Sequence, residues 1–111
     1  MNIICLDIET TGLDPDSDEI LQLSIIDGNG KTLINEYVHP YWKKDWAAAA
    51  RVNGITPEMV KDAPYPHDLI PKVKGIFEAA DLLIAYNNQF DLSFLRRWGI
   101  SDSGKEQYDV M

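Results

Sequence analysis

Ile3-Ile4-Cys5-Leu6-Asp7-Ile8-Glu9-Thr10-Thr11-Gly12 is an apolar run that ends in two acids and a glycine turn. Asn2–Ile8 reads as a buried strand. On an extended chain, residues two apart project to one face. Asp7 and Glu9 therefore share a face, with Cα atoms roughly 7 Å apart. Two carboxylates held together repel at neutral pH unless a cation offsets them. Oxygen-only ligation suits magnesium or manganese, and with one cysteine and two scattered histidines nothing supports zinc. Gly12 permits a tight turn. The hydroxyls and N–H groups of the Thr-Thr-Gly loop suit a sugar or phosphate. A bare D-x-E is a weak signal, better read as a solvated strand end. The apolar strand before it and the loop after it favour a site.

Working outward, Glu19–Asp27 and Lys31–Val38 read as two further strands. Asp27-Gly28-Asn29-Gly30 between them is a hairpin signal. Three strands joined by short connections predict an antiparallel meander. Asp45–Arg51 then reads as a short helix ended by Asn53-Gly54, and Thr56-Pro57-Glu58 opens another. A longer helix is expected over about Asp68–Ala80, with Leu69, Ile70, Val73, Ile76 and Phe77 on one face and Pro71 tolerated in its first turn. Leu82–Tyr86 reads as a strand buried on both faces, with a parallel neighbour. Gln89–Trp98 reads as a helix closed by Gly99, with Phe90, Phe94, Leu95 and Trp98 inward. Gln107–Met111 reads as a last strand. The sum is an α/β fold, a mixed sheet with flanking helices.

Asp91 falls in the first turn of the helix after Leu82–Tyr86. An acid there complements the helix dipole whatever else it does. If that strand lies parallel to Asn2–Ile8, Asp91 reaches the same strand-end crevice as Asp7 and Glu9, where open α/β sheets place their sites.

The chain has 111 residues, one domain's worth, and a formal charge of −8. That charge argues against coating duplex nucleic acid through a basic surface, though bound cations invert the local sign. Cys5 excludes an intramolecular disulfide framework and reads as a small core residue. There is no run of 18 apolar residues for a membrane span and no basic leader, so the expectation is a cytoplasmic protein.

Asp7-Ile8-Glu9-Thr10-Thr11-Gly12-Leu13 matches D-x-E-T-T-G-L, the first motif of the DEDD 3′–5′ exonucleases. Asn87-Asn88-Gln89-Phe90-Asp91 followed by Phe94-Leu95 matches their second, H-N-x-x-F-D-x-x-F-L. Between them, Val52-Asn53-Gly54-Ile55-Thr56-Pro57-Glu58 and Ala63-Pro64 resemble the I-H-G-I-T-x-E…A-P segment of the branch typified by the proofreading epsilon subunit of bacterial DNA polymerase III. The resemblance spans nearly the whole chain. It implies a ribonuclease H-like fold and two-metal hydrolysis of phosphodiesters from the 3′ end of single-stranded DNA or RNA, with Mg²⁺ or Mn²⁺. It further implies that Asp7 bridges both ions, that Glu9 holds the one carrying the attacking water, and that Asp91 serves the other. Thr10, Thr11, Gly12 and Leu13 would contact the terminal nucleotide, Leu13 against its base, and Asn87 would support the site. A DNA polymerase is an implied partner, through replication and proofreading.

Two departures are mild: Tyr86 stands for the His of the second motif, and Asn53 for the His of the middle segment. One is serious. The family's third motif supplies a His or Tyr base and a fourth Asp, and only 20 residues follow Asp91. Asp109, in Tyr108-Asp109-Val110-Met111, resembles a segment that precedes that motif and is not taken as the missing ligand. His39 and His67 are expected in structural or solvent roles. Residues 1–111 therefore read as the N-terminal portion of an exonuclease domain with its C-terminal part missing. Expected properties are weak metal binding, little or no hydrolysis, and self-association through bared sheet surface. One alternative is a non-catalytic remnant that binds strand ends or a partner. Another is a phosphatase of the haloacid dehalogenase type, although Glu9 stands where those enzymes carry Asp.

Other patterns fail or stay open. Asp14-x-Asp16-x-Asp18 is no calcium loop, because Glu19 and Ile25 replace its Gly and closing Glu; a solvated acidic loop is expected. Lys43-Lys44, with Trp42 and Trp46, is a candidate to track a strand's backbone.

Overall fold

The first strand, β1 (Ile3–Thr10), alternates along its length: Ile4, Leu6, Ile8 and Thr10 are buried, whereas Asp7 is exposed and Glu9 half-buried. The period of two puts Ile4, Leu6 and Ile8 on the core face, and half-buried Ile3 and Cys5 with Asp7 and Glu9 on the other, so Cys5 is not the core residue expected. The computed structural model describes residues 1–110. It places β1 at the centre of a five-stranded sheet in the order β3-β2-β1-β4-β5, with β2 at Ile20–Asp27, β3 at Thr32–Tyr37, β4 at Leu82–Ala85 and β5 at Glu106–Asp109. The first three strands form the antiparallel meander. β4 runs parallel to β1, and β5 parallel to β4. The predicted last strand begins one residue earlier than expected, and Met111 lies outside the described residues.

The buried face of the sheet carries Ile4, Leu6, Ile8, Leu23, Ile25 and Leu83. It packs under α3 (Pro66–Ala79) and α4 (Asn88–Arg97) through Val73, Phe77, Leu92 and Leu95. A bulge where β2 meets Thr10 leaves Leu21 as the extra residue. Two adjacent residues are buried as a result, Ile20 in the main core and Leu21 in a second cluster with Trp46, Ile55 and Val60. That cluster seats α1 (Ala47–Asn53) and α2 (Pro57–Val60).

Three further expectations need correction. Helix α3 begins at Pro66, not Asp68. Pro66 takes the first helical position, the Asp68 carboxylate accepts from the Tyr65 N–H at 3.0 Å, and Pro71 falls inside the helix, in its second turn. Strand β4 is not buried on both faces. Leu83 and Ala85 are buried in the main core while Leu82 and Ile84, on the opposite face, are half-exposed. Trp46 does not face a strand path; it is buried, and its indole N–H donates to the Ile55 carbonyl at 2.7 Å.

Candidate active site

Because β4 is parallel to β1, the helix that follows it starts at the end of the sheet where β1 finishes. Asn87 caps this helix, α4, its side-chain oxygen accepting from the Phe90 N–H at 3.4 Å. One turn on, Asp91 is only 5% exposed. Burial, then the charges of Asp7, Glu9 and Asp109, push its carboxyl up from 3.8 to about 7. Glu9 is also raised, by burial first and by Asp7 second. The three acids singled out from the sequence thus feel one another across the sheet end.

Asp109 was set apart in the sequence, and its influence on Asp91 was missed. The signal was topological. A fifth strand parallel to β4 pairs Asp109 with Ala85 and brings its charge to the same end. The neighbouring Asn88 is 4% exposed, and its side-chain amide has no hydrogen-bond partner among the described residues.

The donor set, carboxylates only, is that of a hard divalent cation. Among the described residues, however, no three Asp, Glu, His or Cys side chains are closed up into a group that holds a metal ion. The chemistry of the residues fits a cation.

The loop after β1 is shaped from within. The Thr10 hydroxyl donates to the Gly12 carbonyl. The Thr11 hydroxyl donates to Asp18 at 2.9 Å and accepts from the Glu19 N–H at 3.0 Å. Both threonines are buried, so their hydroxyls build the loop instead of facing solvent. Gly12 is needed for close approach, not for an unusual turn: a Cβ there would overlap the Asp18 carboxylate. Asp18 is no solvated acid. Burial opposes its ionisation, but the Asp14 N–H, the Thr11 hydroxyl and the Lys43 ammonium at 3.3 Å outweigh that and hold it below the ordinary range. Asn53 ties α1 to this loop by donating to the Thr10 carbonyl at 3.1 Å.

Beside Glu9 the loop opens a cavity of about 450 Å³, walled by Thr10–Leu13, Val52, Asn53 and Phe90. Leu13 and Val52 stand at its mouth, 84% and 89% exposed. Neither histidine lines it. The His39 ring bonds the Pro40 carbonyl at 2.8 Å, and the His67 ring bonds the Tyr41 hydroxyl.

Comparison with known proteins gives one answer. The exonuclease family RNase_T matches residues 4–101. The PolC-type DNA polymerase III of Thermotoga maritima is 34% identical over 98 residues, covering 86% of this chain and 7% of its own. The epsilon subunit of DNA polymerase III from Rickettsia typhi is 35% identical over 96 residues, 83% of this chain and 42% of its own. Among solved structures, Escherichia coli exonuclease I in complex with a dT13 oligonucleotide superposes with a TM-score of 0.82 at 18% identity, over 98% of this chain and 28% of that one. The chain thus spans less than half the length of each of these proteins. The match leaves the dehalogenase-type alternative without support. The chain belongs to the RNase_T exonuclease family, and its mixed five-stranded sheet is the ribonuclease H-like fold of the DEDD 3′–5′ exonucleases.

Proposed function

We propose that residues 1–111 form the portion of a 3′–5′ exonuclease domain that holds the end of a single strand, DNA or RNA, at Asp7, Glu9 and Asp91. The observation that carries this reading is the buried Asp91 at the sheet end, whose proton affinity is raised by burial first and then by the charges of Asp7 and Glu9. Such acids are expensive to ionise together unless a cation joins them. Asp7, Glu9 and Asp91 would hold Mg²⁺ or Mn²⁺, and a pair of such ions supplies charge stabilisation to the attacking and leaving oxygens of phosphodiester hydrolysis. The chain's own part is to present the end. Leu13 and Val52 flank the cavity beside Glu9 with exposed apolar side chains, suited to a terminal base. Asn87 fixes the start of α4 and so the placing of Asp91. The relatives named as DNA polymerase III proteins make a polymerase the proposed partner, in replication and proofreading.

Hydrolysis by these residues alone is proposed to be slow or nil. The base and fourth acid of the third motif have no match after Asp91, and both histidines are engaged away from the cavity. The exposed strand β5, with its Tyr108 and the following Val110 open to solvent, supports self-association as a second property. Single-stranded DNA labelled at its 3′ end and incubated with Mn²⁺ tests the reading. At most slow release is expected, abolished by Asp7→Ala. Prompt release contradicts the proposed weakness, and release indifferent to Asp7→Ala contradicts the site.

A further inference from the structure

Outside the cavity's lining, the rings of Tyr41, Tyr65 and His67 lie nearly parallel. Their planes are 8–17° apart and their centroids 5.5–5.7 Å apart. The Tyr41 hydroxyl and His67 Nδ1 are hydrogen-bonded, and the two rings are stacked 13° from parallel. Trp42 continues the surface, its ring 21° from that of Tyr41. Tyr41 and Trp42 are each about half exposed (49% and 54%), as is more than a third of Tyr65. Tyr86 and Tyr108 are more exposed still, but what sets this group apart is that its rings lie side by side and nearly parallel.

The surroundings suit a polyanion. The chain carries a net −8, yet the hollow beside Tyr41 is lined by Lys43, Lys44, Lys61 and His39 with no acid among its lining residues. Just outside it, Lys43 pairs with Asp18 at 3.3 Å and Lys61 with Glu58 at 2.8 Å, so their charges are partly offset. On the other side, Tyr41 and Trp42 share a groove with Arg97 and Trp98, where Asp18 and Glu19 are already held by their own partners and Arg97 lies 3.9 Å from Asp16. Flat exposed rings interleaved with cations match stacked bases and their phosphates.

The surface is also fixed relative to the candidate site. Glu19 is buried, and its carboxylate accepts from three successive backbone N–H groups, those of Tyr41, Trp42 and Lys43. Its own backbone pairs with Thr11. One carboxylate thus rivets the aromatic segment to the loop that walls the cavity. Helix α4 touches both sides, Phe90 in the cavity and Phe94 in the groove.

We propose that Tyr41, Trp42, Tyr65 and His67 form a stacking platform for single-stranded polynucleotide, a second contact several nucleotides away from the bound 3′ end. The proposal rests on the nuclease reading above but has its own test. Fluorescence anisotropy of 5′-labelled oligo(dT) and oligo(rU), about 3 and about 12 nucleotides long, is measured in EDTA with the 111-residue chain. The longer oligonucleotides are expected to bind at least tenfold more tightly than the shorter ones. Tyr41→Leu with Trp42→Leu should remove that gain and leave binding of the short ones unchanged. The exposed His67→Ala, which spares the buried core, should weaken long-oligonucleotide binding in the same direction if the double variant fails to fold. Comparison of the dT and rU series shows which strand is preferred. Equal affinity at both lengths, long-oligonucleotide binding unmoved by these substitutions, or no binding at either length overturns the platform. The first two outcomes would point to a protein ligand for these rings. Loss of short-oligonucleotide binding on Leu13→Ala tests the terminal-nucleotide cavity separately, so the two readings fail by different signs.

Discussion

The two faces of β1 make opposite use of one strand. Ile4, Leu6 and Ile8 lie within a packed apolar core. Asp7 and Glu9, one residue over each time, face acids across an open sheet end. The first face contributes stability by burying apolar surface. The second gives up stability, because it assembles like charges that favour protonation or a cation. A fold that tolerates the second face needs the first.

The sharpest break in that comparison is a cavity on the packed side. Leu83 is fully buried between β1 and β5, and Leu83→Ala should cost about 2–5 kcal/mol in urea denaturation. Asp7→Asn, on the open side, should not lower the midpoint at pH 8, since it relieves both Glu9 and Asp91. A comparable loss from both substitutions would erase the distinction between the faces.

Next is the pH dependence of Asp91. Folding raises this acid's proton affinity from 3.8 to about 7, so the folded chain holds a proton that the unfolded chain releases in between. Stability attributable to Asp91 is therefore present below about pH 4 and lost as pH rises through 7, by up to about 4 kcal/mol. Asp91→Asn should flatten this dependence and raise the thermal midpoint at pH 8 while leaving pH 4 nearly unchanged. A wild-type midpoint that climbs between pH 5 and 8, with no change in slope on Asp91→Asn, would count against the repulsion.

Glu19→Ala removes the acceptor of three N–H groups and should cost about 2–3 kcal/mol, with protease cutting near residues 41–43 as a second readout. The smallest effect has the opposite sign. Asn88 buries an amide with no partner among the described residues, so Asn88→Ala should be neutral or stabilising by about 1 kcal/mol in urea denaturation. A loss above that would mean the amide is paired.

These elements also separate what the residues announce from what only folding decides. The alternation of β1, the turn at Asp27–Gly30 and the apolar run of β4 are local patterns, and the strands form where those patterns lie. The parallel pairing of β4 with β1 followed from the helix before it, and with it the end of the sheet at which Asp91 belongs. The start of α3 was misread because Asp68 looks like a cap, while Pro66 and the Asp68 bond back to Tyr65 set the boundary two residues earlier. Glu19 had no signature at all. Its three donors lie more than 20 residues away, and only the bulge at Leu21 and the return of β3 bring them to it. The approach of Asp109 to Asp91 depends likewise on a pairing between distant strands.

The central claim is that Asp7, Glu9 and Asp91 repel when bare and are reconciled by one kind of ligand. Mn²⁺ titration followed by electron paramagnetic resonance at pH 8, on the 111-residue chain and on Asp7→Asn and Asp91→Asn, tests it most directly. Saturable, weak binding in the parent chain, a higher thermal midpoint when loaded, and loss of both in either variant are the predicted results. Mn²⁺ binding that persists undiminished in both variants, or none in the parent at millimolar ion, would contradict the account.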